Sequence, residues 1–142
     1  MDDAARIETT RRGYRAFERR DTDALAELMH PEAEVHAVTG IVAHQSEPYV
    51  GRRGLEEYVR DVERVWDELS LMPQEFTPLA GDRVLVSGRV LVKRGATRLD
   101  IPSAWLWEFE GDVVRTVRIL SDPQSIERLR GERTPLGDEG GD

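Results

Sequence analysis

Between residues 5 and 19, Ile7, Gly13/Tyr14 and Phe17 fall at helical intervals among arginines, which predicts an amphipathic helix. Asp21 or Thr22 can cap a second, short helix reaching His30, with Leu25, Leu28 and Met29 turned inward and Pro31 as its stop. Residues 33–38 predict a short strand in which Val35 alternates with His36, so either of the two can face inward. Residues 39–50 mix Gly, Pro, Ser and Gln and predict an irregular connection. Residues 51–69 carry the clearest helical pattern: Leu55, Tyr58, Val59, Val62, Val65/Trp66 and Leu69 form one stripe, with Glu/Arg pairs on the other face.

Beyond residue 70 the period changes to two. Residues 84–92 predict a strand that is apolar on both sides. Residues 98–109 predict another, with Leu99, Ile101, Ser103, Trp105, Trp107 and Phe109 on one face and Asp100, Ala104, Leu106 and Glu108 on the other. Glu110-Gly111-Asp112 predicts a tight turn into a strand over 113–121, and residues 74–79 predict an earlier one. A short helix over 123–130 follows, capped by Asp122. Helices first and antiparallel strands after make the α+β class, with a strongly curved sheet wrapped around the helices.

Composition narrows this picture. The chain has 142 residues, the size of one domain, with 39% hydrophobic and 34% charged positions. Its 20 Lys+Arg against 28 Asp+Glu give −8, which argues against a nucleic-acid binder. No stretch approaches the roughly 20 apolar residues that span a bilayer, so no membrane partner is expected. The opening Met1-Asp2-Asp3 lacks the basic and apolar regions of a signal peptide, and a cytoplasmic location is the expectation. The absence of cysteine removes disulfides, thiol nucleophiles and thiolate metal sites together. Residues 131–142 hold four acids, one arginine and four glycines, which predicts a disordered tail behind a single domain over 1–130.

The order of parts carries a resemblance. Residues 14–25 (YRAFERRDTDAL), the continuation LMHPEAEVH at 28–36, the glycine-led helix YVGRRGLEEYV at 49–59 and the hairpin PSAWLWEF at 102–109 with VVRTVR at 113–118 resemble the nuclear transport factor 2-like superfamily. They resemble its SnoaL-like branch most, over about residues 5–130. The resemblance implies a cone whose curved sheet and three N-terminal helices enclose one pocket. It also implies a homodimer through the sheet's outer face. The superfamily includes cyclases, isomerases, dehydratases, epoxide hydrolases and binders without activity, so function must be argued from the site.

Tyr14 matches the first-helix tyrosine that donates a hydrogen bond to a substrate oxyanion in isomerase-like members. His36 lies near the place of their general-base aspartate; the chain reads Glu34-Val-His-Ala37, and a histidine can serve as base instead. Near their protonated aspartate the chain has Ala104 and Trp105, so ketosteroid isomerase activity is not expected. Trp105 and Trp107 would wall the pocket. Tyr58 and Trp66, eight residues apart, share a face of the helix that covers it. Arg89 is either a pocket cation for an acidic or carbonyl ligand or a dimer-interface cation. Asp122 reads as a helix cap. His30, His36 and His44 form no metal-ligand spacing, and neither metal nor cofactor is expected.

The expectation is a cone that holds one small, mostly apolar molecule, with Tyr14, Phe17, His36, Tyr58, Val62, Trp66, Trp105 and Trp107 lining it. The alternatives are an acid/base cyclase, isomerase or dehydratase using His36 and Tyr14, and a dimeric interaction module.

Overall fold

Asp2 accepts the Ala5 amide at 2.8 Å and starts α1 (Asp3–Glu18), in which the stripe Thr10, Gly13, Tyr14 and Phe17 is buried. The structure is a computed structural model that describes residues 1–43, 47–120 and 122–134. Asp21 accepts the Ala24 amide at 3.0 Å and caps α2 (Thr22–Leu28). The chain is already extended at Met29, so α2 ends before Pro31 and β1 runs Met29–His36. His30 precedes a proline, which disfavours helical backbone there. Pro31 sits instead where β1 shifts register against its neighbour.

The expected irregular connection contains a one-turn helix α3 (Val38–Val42) and a two-residue strand β2 (Tyr49–Val50). Helix α4 (Gly51–Val65) stops four residues short of the expected end. Trp66 is extended, and the Asp67 amide already donates to Lys93 of the sheet at 2.8 Å. Leu69, which fits the helical stripe by spacing, belongs to β3 (Glu68–Leu79) and is buried there opposite Val92.

Strands β4 (Arg83–Arg94), β5 (Thr97–Glu110) and β6 (Val113–Leu120) complete one six-stranded sheet in the order β2-β1-β6-β5-β4-β3. Among the described residues only the β1–β6 pair is parallel. Gly111, at positive φ, makes the expected turn between β5 and β6. This is the α+β architecture of the sequence reading, a curved mixed sheet, mainly antiparallel, against N-terminal helices; the one-turn α3 makes these four where three were expected.

The sheet buries both faces. Val84, Val86, Val90, Trp105, Trp107 and Val117 point to the helices and form the main core with Tyr14, Phe17 and Tyr58. Leu85, Ala104 and Leu106 point the other way and, with Leu79, are covered by Ile126 and Leu129 of α5 (Pro123–Arg130). That second cluster explains why β4 is apolar on both sides. The four described residues after α5, 131–134, carry the structure past the expected boundary at residue 130. The Glu132 carbonyl accepts from Ala80 at 3.0 Å, the Thr134 amide donates to Pro78 at 2.8 Å, and the Thr134 hydroxyl meets Asp3 at 2.8 Å. The folded unit therefore reaches Thr134; residues 135–142, where the rest of the expected tail falls, lie outside the described residues.

Candidate functional site

The helical layer and the sheet leave a cavity of about 50 Å³ between α1, α4 and the concave face. Gly13, Tyr14 and Phe17 of α1, Tyr58 of α4 and Trp105 and Trp107 of β5 form most of its wall. Leu71 and Ala37, both half-buried, stand at its rim. The volume exceeds what one water needs and falls well below the roughly 150 Å³ of a cavity that takes benzene. A larger guest therefore needs the rim to move.

Tyr14 is the polar centre of this wall. Its ring packs against Trp105 at 5.6 Å and Trp107 at 5.2 Å, and its hydroxyl accepts the Trp107 indole N–H at 3.1 Å. One lone pair of the phenol is thus occupied, while its own proton has no acceptor among the described residues. Burial raises the Tyr14 pKa well above its ordinary value, and the Trp107 bond offsets only part of that. At neutral pH the group is a neutral phenol with a donor to spend.

Tyr58 is raised as well, again mainly by burial. It stacks on Phe17 at 5.1 Å and meets Tyr49 at 5.1 Å. The Tyr49 hydroxyl donates to Asp61 at 2.7 Å, and Arg64 binds the other oxygen of that buried carboxylate. Burial first, then the bond to Asp61 and its charge, raise Tyr49 too. This chain of aromatic contacts fixes the Tyr58 ring from behind. It escaped the sequence reading, although one signal was present: Asp61 is a charge three residues after Tyr58 within the inward stripe of α4.

Of the other expected site residues, His36 stands at the cavity's border and the rest stand elsewhere. Val35 is the buried member of its pair, so His36 shares the opposite face with Glu34, whose carboxylate meets its ring at 3.2 Å. His36 borders the cavity where β1 ends, but no hydrogen bond joins it to Tyr14 among the described residues. The expected base–donor pair is not assembled. Val62 is core and does not reach the cavity wall. Trp66 donates its indole N–H to Thr39 at 3.0 Å and ties α3 to the end of α4. For Arg89 the pocket alternative is corrected and the outer face remains: Val90 takes the inward side, and Arg89 pairs with Asp100 on the outer face. Asp122 caps α5, and hydrogen bonds from Ser125 and Gln124 hold its carboxyl below the usual range. His30 lies 3.6 Å from Glu110. His44 falls outside the described residues.

The sequence profile of the SnoaL-like domain family matches residues 10–117. The chain belongs to that family. Solved structures show that the fold is shared. A structure of TerC co-crystallised with polyporic acid matches at a TM-score of 0.73 and 24% identity, covering 89% of this chain and 98% of that one. A nuclear transport factor 2-like protein of unknown function from Burkholderia pseudomallei matches at 0.73 and 24%, covering 91% and 98%. The cell division protein ZapD of Bordetella pertussis is 34% identical over 108 residues, which is 75% of this chain and 41% of that protein. The chain thus spans about two-fifths of the length of the curated relatives it matches.

Two further features of this SnoaL-like domain bear on function. The apolar strip on the outer face of the sheet, where the resemblance implies a homodimer, is covered by α5 of the same chain. Among the described residues no helix is long and apolar enough to cross a membrane, and no cluster of three His, Asp or Glu side chains is placed to hold a metal ion.

Proposed function

We propose that this SnoaL-like domain binds one small, mostly apolar molecule carrying a single hydrogen-bond acceptor, such as a carbonyl oxygen, in the cavity beneath Tyr14. The observation that carries this reading is the phenol itself. It is buried, kept neutral, relieved of one lone pair by Trp107, and left with a proton to donate into an otherwise aromatic and aliphatic space. A buried donor without a partner costs stability, so a guest that accepts from it gains more than the same contact would in water. TerC, of the same fold, has been co-crystallised with polyporic acid, which supports reading this interior as a ligand site.

Binding is favoured over turnover because His36, the histidine that borders the cavity, is engaged with Glu34 and not with Tyr14 among the described residues. The test uses two flat ketones, acetophenone and 2-acetonaphthone, both larger than the closed cavity and so entering with displacement of its rim, titrated calorimetrically into the purified protein. The native chain binds one ketone per molecule. Tyr14→Phe weakens binding about three- to tenfold, the worth of one neutral hydrogen bond. Native chain without saturable binding, or a Tyr14→Phe variant with native affinity, contradicts the reading.

A further inference from the structure

Gly13 sits in the middle of α1, where glycine weakens a helix relative to alanine. Its backbone is not among the positive-φ positions, so conformation does not call for glycine here. Space does. A Cβ built on Gly13 would lie 2.6 Å from Cη2 and 3.1 Å from Cζ3 of Trp107. The benzo end of the indole occupies the place of the missing side chain. The next residue, Tyr14, holds the other end of the same ring through the 3.1 Å bond from its Nε1. Two consecutive positions of α1 thus clamp one wall of the cavity, one by an absent atom and one by an acceptor.

A side chain at position 13 would have to displace a rigid, 4%-exposed indole in a close-packed interior. The free space bordering both Gly13 and Trp107 is the cavity itself. We propose that Gly13 is a specificity-determining residue of the pocket: by seating Trp107 against the helix it sets the width available to a flat ring system, and any larger residue at 13 narrows the site from the Trp107 side. The inference rests on the ligand-pocket reading above. It adds a size limit to that reading and assigns the limit to a residue with no side chain.

The experiment pairs a ligand-free readout with a size series. The chain has three tryptophans, so its proton–nitrogen spectrum carries three indole N–H signals, and the Trp107 signal is the one lost in Trp107→Phe. In Gly13→Ala the Trp107 signal shifts and exchanges faster with water. Affinity for 2-acetonaphthone falls about tenfold or more, the scale on which a hydrophobic pocket resolves one or two carbon atoms, while acetophenone loses less than about threefold. The double variant Gly13→Ala/Trp107→Phe, which removes part of the obstructing ring, regains most of the 2-acetonaphthone affinity. An unmoved Trp107 signal, equal losses for both ketones, or no rescue in the double variant overturns the role of Gly13 while leaving the pocket standing. A native chain that binds neither ketone overturns the pocket reading and the size limit with it.

Discussion

Tyr14 shows how much one side chain can hold together. It contributes ring packing to the core, an acceptor to Trp107 and a spare donor to the cavity. Tyr14→Phe preserves the packing and removes the other two. Beyond its effect on ketone affinity, it strands the buried Trp107 N–H and is expected to cost about 1–3 kcal/mol in urea unfolding with an unchanged m-value. The phenols also set the alkaline limit. All three tyrosines of the chain, Tyr14, Tyr49 and Tyr58, are raised above the ordinary value of about 10, so the fold prefers the protonated form that an unfolded chain gives up near that pH. Their contribution is complete below pH ~10 and is lost as pH rises beyond it. A phenolate absorbance titration should therefore show no tyrosine ionising near pH 10, followed by a joint rise coincident with loss of near-ultraviolet circular dichroism. A tyrosine that titrates normally in the folded protein contradicts this. At this scale the inward stripe of Tyr14 and Phe17 was legible because helical spacing singles out one face. His36 was not, because strand alternation has two equivalent phases until burial of Val35 selects one.

Elements were read best where their period was long and unbroken, as in α1, β4, β5 and α5. Misreadings cluster where two rules compete. Pro31 reads as a helix stop but serves in a strand at a register shift, and Leu69 satisfies both the helical stripe and the strand that follows. Pro73 hid the first half of β3, whose register shifts between Pro73 and Glu75. That irregularity has its counterpart in Gly88 of β4, where a Cβ would lie 2.1 Å from the Met72 carbonyl oxygen. Gly88→Ala is expected to destabilise by about 1–3 kcal/mol, because backbone rather than a flexible side chain must give way; a calorimetric melting temperature equal to the native one would contradict that. The tie between β2 and α4 yields a graded prediction. Asp61→Ala removes two hydrogen bonds to a buried carboxylate and should cost about 1.5–3 kcal/mol, whereas Arg64→Ala, which removes an exposed cation, should cost less than about 1 kcal/mol. Equal costs in chemical denaturation would place the strength of the cluster in the surface ion pair instead.

At the scale of the molecule, the order of helices and strands was enough to announce a SnoaL-like cone, and the family match and the structure agree with it. The interior was less legible. Which strand face turns inward decides whether Arg89 is a ligand anchor or a surface cation, and β4 carries apolar residues on both faces because α5 covers the second one. The sequence contains that information only jointly, through the pairing of four strands and a helix at the far end of the chain. Cavity size is more remote still, since it depends on the fit of Gly13 against an indole ninety-four residues later. The central claim is that the space under Tyr14 is a ligand site. The most direct measurement follows the indole N–H signals of the native protein during titration with 2-acetonaphthone. Saturable movement of the Trp107 signal, with one ketone per chain, is the predicted result. Saturation that leaves the Trp107 signal unmoved, or no saturation at all, would contradict it.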